Sequence, residues 1–81
     1  MTPSQCAAAR GLLDWTVTRL AEESQVSAPA LYRYERGETD LIRVTKLAVL
    51  TTFQKRGISF FEENGTLGLR YPKSLDPRSG G

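Results

Sequence analysis

Histidine is absent from this 81-residue chain, and cysteine occurs once, at Cys6. One thiol cannot close an intramolecular disulfide, and without histidine or a second cysteine the usual structural zinc sets cannot be assembled, so no metal or other cofactor is expected. Domains this small gain stability from such staples or from a partner chain, which leaves self-association. No apolar run approaches the ~18 residues of a membrane span. Met1 leads into a polar segment instead of a signal peptide, so the reading is a cytoplasmic protein with no membrane partner. Cys6 sits in an Ala-rich segment and reads as a small buried apolar residue. Catalytic equipment is missing too: there is no nucleophile beside a base and no glycine-rich phosphate loop, so an enzyme is not expected.

What the chain has is unevenly placed charge. Residues 1–26 carry a net −1, from Arg10 and Arg19 against Asp14, Glu22 and Glu23. Residues 27–57 carry +3, from Arg33, Arg36, Arg43, Lys46, Lys55 and Arg56 against Glu35, Glu38 and Asp40. A basic excess confined to the middle of a small domain suggests that this part meets an anion.

The local signals are mainly helical. In "TPSQ", Thr2 reads as an N-cap, Pro3 as the first helical residue and Gln5 as the capping-box partner, opening a helix to about Leu13 with Cys6, Ala9 and Leu13 inward. Thr16 reads as the cap of a second, short helix from Val17 to about Glu23, with Trp15 just outside it placed to touch Leu20. The same construction recurs at once, with Ser27 as cap, Val26 before it and Leu31 four positions in. Two stapled helices this close make a helix-turn-helix geometry. The third helix spans Ala28–Arg36 and stops at Gly37. A fourth is expected after a cap at Asp40, with Val44, Leu47, Leu50 and Phe53 repeating along it, and stops at Gly57. The period then changes from 3.6 to 2, and Asn64-Gly65 marks a two-residue hairpin turn that pairs Phe60 with Leu69 and Ile58 with Tyr71. The fold class is therefore mainly α: a four-helix helix-turn-helix domain over 1–57, a β-hairpin over 58–71 and a disordered tail over 72–81.

At 100° per residue, Ala28, Pro29, Tyr32, Arg33 and Arg36 fall within an arc of about 140° on the third helix, opposite Ala30, Leu31, Tyr34 and Glu35. A solvated charged face is the plain reading of such a stripe. Its basic character, the tight turn before it and a second helix whose N-terminal N–H groups and Thr16 or Thr18 hydroxyls can take a phosphate point instead to a helix laid in a major groove.

The order "TVTRLAEESQVSAPALYRYERG" resembles the helix-turn-helix core of the phage-repressor and Cro-like, or XRE, family. Leu20, Ala21, Val26, Ser27, Leu31, Glu35 and Gly37 stand where that pattern wants them, and the likeness covers about residues 4–57. Val17 replaces the family's Gln early in the second helix. Gln25 replaces the turn Gly and must then take a positive φ. The Pro that usually follows the third helix is missing, and "GETD" occupies a stretch that is commonly basic. The resemblance implies a bridge between Arg10 and Glu35 that locks the third helix, a structural role and not a DNA contact.

The expected function is that of a sequence-specific DNA-binding transcriptional regulator, a repressor or autoregulator bound as a homodimer to a palindromic operator. Arg33 is the candidate for base readout, bidentate to guanine, with Tyr32, Pro29 and Ala28 against thymine methyls and Ser27 on a phosphate or base edge. Thr16, Thr18, Arg36, Arg43 and Lys46 are the phosphate candidates. The hairpin, with Ile58, Phe60, Leu67 and Leu69 on one face and Phe61 on the other, is the expected dimer interface. The alternative is a protein-binding module on the same fold, an antitoxin or an antiactivator; another regulator or RNA polymerase is a further candidate partner beside double-stranded DNA.

Overall fold

The computed structural model describes residues 1–76. Four helices, α1 (Pro3–Leu12), α2 (Val17–Ser24), α3 (Ala28–Glu35) and α4 (Arg43–Lys55), precede a hairpin of β1 (Ser59–Glu63) and β2 (Thr66–Arg70) and a 3-10 turn over Lys73–Leu75. The first three helices start where their caps stand. Thr2 and Gln5 form a reciprocal capping box, Thr16 accepts from the Arg19 N–H, and Ser27 accepts from the Ala30 N–H.

The core is a single cluster. Cys6 and Ala9 of α1, Val17 and Leu20 of α2, Leu31 and Tyr34 of α3, Val49 and Phe53 of α4, and Ile58 before the hairpin are all buried in it. Leu13 is half-buried against it. Trp15 joins the same cluster from the α1–α2 turn, where the guanidinium groups of Arg19 and Arg56 lie 5.1 and 4.9 Å from its ring centroid. Glu23 pairs with both of those arginines, at 3.2 and 3.4 Å.

Two expectations for α4 need correction. Asp40 does not cap it: the helix starts two residues later, with Ile42 at the N-cap and no side-chain cap bond. Asp40 instead accepts the Leu41 N–H at 2.8 Å and pairs with Lys46 at 2.9 Å. Nor do Val44, Leu47, Leu50 and Phe53 share a face. Three-residue steps on a 100° helix drift by about 60° each, so the four sweep half the circumference. Val49 and Phe53 are buried, whereas Val44 and Leu47 are 69% and 53% exposed.

The hairpin is antiparallel and pairs Phe60 with Leu69, Phe61 with Gly68 and Ser59 with Arg70. Its turn residues Asn64 and Gly65 both take positive φ, 53° and 77°, as a primed turn requires. The expected Ile58–Tyr71 pair does not form, because the Ile58 N–H is used by the Phe53 carbonyl as α4 ends. One hairpin face lies on α1 and α4, with the Phe60 ring edge-on to Phe53 at 5.8 Å. On the other face the Phe61 ring covers Gly68 and leaves no room for a Cβ there, and the Arg70 guanidinium sits 4.2 Å from its centroid. Beyond the hairpin, Leu75 packs against the core, so the disorder expected from residue 72 does not hold for the 3-10 turn. The rest of that expected tail, 77–81, lies outside the described residues.

Candidate nucleic-acid interface

The turn between α2 and α3 is built by residues whose backbones accept its geometry. Gln25 takes the left-handed conformation at φ 58°, ψ 45° and closes α2 through its N–H. The Val26 N–H then bonds the Ala21 carbonyl at 3.0 Å, and Ser27 caps α3 at once. A residue with a Cβ takes the left-handed region at a cost of roughly 1–2 kcal/mol, and Gln25 adopts it here, so the motif keeps its geometry without the turn glycine.

The inward face of α3 is locked. Leu31 is fully buried, and the Tyr34 hydroxyl donates to the Met1 carbonyl at 2.9 Å; burial pushes its pKa up to about 12. Arg10 grips Glu35 with two parallel bonds, Nε to Oε2 at 3.0 Å and Nη2 to Oε1 at 2.9 Å, and uses Nη1 to hold the Trp15 carbonyl at 2.8 Å. The pair is well shielded, with side chains 23% and 10% exposed. The Glu35 bond raises the Arg10 pKa above its ordinary value. Cys6 lies beneath the bridge, its thiol donating to Glu35 Oε2 at 3.5 Å; burial first, then the neighbouring charge of Glu35, push it up to about 12. The thiol is therefore protonated and inert at neutral pH.

The outward face is different. Pro29, Tyr32, Arg33 and Arg36 are exposed, while Ala28 is half-buried against the core. Arg33 forms no ion pair among the described residues, and Arg36 pairs with Glu38 at 2.6 Å. Ser27 and Thr16 spend their oxygens as acceptors in capping, which leaves each O–H proton to donate outward. Thr18 and Arg43 are exposed. Lys46 is less available than the other phosphate candidates: it is bound to Asp40 and lies 5.7 Å from the Tyr34 ring centroid. The bond from Lys46, then that from the Leu41 N–H, hold the Asp40 carboxyl below its usual range.

The hairpin residues considered for a dimer contact lie largely within their own protomer. Ile58 is fully buried, Phe60 and Leu69 are half-buried against the core, and Phe61 is half-buried over Gly68. Leu67 is 47% exposed. Gln5 escaped the sequence reading as more than a cap. Its Oε1 accepts the Thr2 N–H while its Nε2 donates to the carbonyls of Phe61 and Gly68, at 3.2 and 2.9 Å. No local signal could reveal that reach, because its partners lie 56 and 63 residues away.

Two capped helices joined through a left-handed residue, the second carrying a locked face and an open one, define a helix-turn-helix domain. Residues 7–50 match the helix-turn-helix family model HTH_3. That is more than half of the chain, and the chain belongs to this XRE-type family of DNA-binding regulators. Comparison with the curated proteins gives no significant match. No helix among the described residues is long and apolar enough to cross a membrane.

Proposed function

We propose that this chain is a sequence-specific repressor or autoregulator that binds a palindromic operator in double-stranded DNA as a homodimer. The observation that carries the reading is the outward face of α3, where exposed Arg33 stands between Pro29, Tyr32 and Arg36 without an ion pair among the described residues, on a helix fixed from behind by the Arg10–Glu35 bridge. In this reading Arg33 makes paired bonds to a guanine edge, with Tyr32, Pro29 and Ala28 against thymine methyls and Ser27 on a phosphate or base edge. Thr16, Thr18 and Arg43 position the backbone from α2 and α4, and Arg36 and Lys46 contribute once their acidic partners are displaced. A second copy presents the same helix to a half-site about one turn, ~34 Å, away.

The test is titration of DNA from upstream of the chain's own coding region at stepped salt, beside random DNA. Affinity should fall steeply and linearly on a log–log scale, because released counterions drive the phosphate contacts. Absence of binding at low salt would remove the reading.

A second reading, a protein-binding helix-turn-helix module such as an antitoxin or antiactivator, is favoured by one observation. Two of the five phosphate candidates, Arg36 and Lys46, are already neutralised by Glu38 and Asp40. Removing those two acids should strengthen DNA binding if the first reading holds and leave it absent if the second does.

A further inference from the structure

The cations Arg33 and Arg36 of the third helix and Arg43 and Lys46 of the fourth flank one short loop, and they stand in two different conditions. Arg33 and Arg43 are exposed and form no ion pair among the described residues. Arg36 and Lys46 are each closed by an acid of that loop, Arg36 by Glu38 and Lys46 by Asp40 at 2.9 Å.

The loop is fixed so that it presents those acids. Gly37 takes φ 76°, and the N–H groups of Gly37 and Glu38 bond back to the carbonyls of Tyr34 and Arg33, both at 2.9 Å. This left-handed cap turns the chain back over the last turn of α3. At the other end Leu41 is buried, and its N–H bonds the Asp40 carboxylate at 2.8 Å. Lys46 is held a second way, with its ammonium 5.7 Å from the Tyr34 ring centroid. The acids themselves stay open to solvent, at 51% for Glu38 and 73% for Asp40. Pairs so exposed contribute little to stability, so they can part without disturbing the fold.

A carboxylate on a guanidinium or ammonium group takes the place of a phosphate oxygen. Tethered a few residues from its cation, it competes at an effective concentration of millimolar order. Random DNA presents no phosphate at a fixed point, because the protein slides and hops along it. Base bonds from Arg33 would fix α3, and only then does one phosphate stay beside each closed cation. We propose that Glu38 and Asp40 are specificity-determining residues that keep Arg36 and Lys46 off DNA lacking the operator sequence and release them when α3 is seated. This inference rests on the proposed sequence-specific function.

Its test begins without DNA. On heparin, a polyanion with no base sequence, Glu38→Gln combined with Asp40→Asn should elute at higher salt than the wild type. In a background of Arg36→Gln with Lys46→Gln the same two changes should move elution far less, because the cations they free are gone. Equal shifts in both backgrounds would mean that the acids act through net charge alone, and would overturn the proposal. Titration of upstream and random DNA at stepped salt then reads discrimination. On random DNA the loop variant should gain about tenfold in affinity at ~0.1 M salt, and its log–log salt slope should steepen by about 1 for each freed cation. On the upstream operator the slope should stay at its wild-type value, so the ratio of specific to random affinity falls. Equal gains on both DNAs, or none on random DNA, would overturn the proposal while leaving the proposed function standing. Failure of that function looks different: neither protein binds either DNA at low salt, and the specificity role falls with it.

Discussion

The two faces of α3 are made from the same eight residues and treated in opposite ways. Behind, Leu31, Tyr34 and Glu35 each have a fixed partner: the core, the Met1 carbonyl and the Arg10 guanidinium. In front, Pro29, Tyr32 and Arg33 are exposed, and Arg33 has no ion pair among the described residues. Under the proposed function, the contrast separates holding a reader from being one. A long, flexible side chain can search a base edge usefully only when its backbone does not also move, and the bridge to α1 supplies that fixity.

Substitutions should respect the division. The largest effect is expected behind. Glu35→Ala leaves Arg10 shielded and loses two charge-assisted bonds, so it should cost about 3 kcal/mol in denaturant unfolding. Adding Arg10→Ala should then cost much less than its single effect. A simple sum of the two losses would show that the bridge contributes nothing. In front, Arg33→Ala should leave the unfolding midpoint unchanged and weaken binding to the specific site by about 2 kcal/mol, with little change on random DNA. Equal losses on both DNAs would move Arg33 to the phosphate class.

The rear face also carries a pH signature. Cys6 and Tyr34 have folded pKa values raised to about 12, above their ordinary values of 9.0 and 10.0. Their stabilising contribution is complete below the unfolded values and is lost as pH rises toward the folded ones. Stability should therefore fall between about pH 9 and 12 by up to about 1.4 kcal/mol per pH unit for each group. Cys6→Ala should flatten the first part of that decline, and an unchanged slope would exclude the thiol as its source. The smallest change is Tyr34→Phe, which removes only the bond to Met1 and should cost about 1 kcal/mol while sparing DNA affinity.

Legibility in the sequence followed the range of the interaction. The caps at Thr2, Thr16 and Ser27, the stops at Gly37 and Gly57 and the Asn64-Gly65 turn act over a few residues, and each marks its element within a residue or two. The outward face of α3 followed from the same local geometry once its start was known. On α4 local reasoning failed for two reasons. Asp40 has the right chemistry for a cap, but Lys46 and the Leu41 N–H compete for its carboxylate. The apolar residues at three-residue steps wind around the helix, so their spacing could not say which of them the core would take. The neutralisation of Arg36 and Lys46 was likewise visible as an acidic "GETD" stretch but not as particular pairs, since rotamers decide those. The docking of the hairpin by Gln5 depends on where the chain returns after more than fifty residues, and no periodicity encodes that.

Gln5 ties the first turn of the protein to nearly its last strand. One end of its amide helps begin α1, and the other holds the facing carbonyls of β1 and β2. These bonds couple the first turn of α1 to the hairpin, so the two are expected to form and open as one unit. In hydrogen exchange, the amides at the start of α1 and those of the hairpin should open together, at the same free energy and with the same denaturant dependence. A chain cut after Gly57 would keep every residue of the helix-turn-helix and still lose the lock on its own N-terminus.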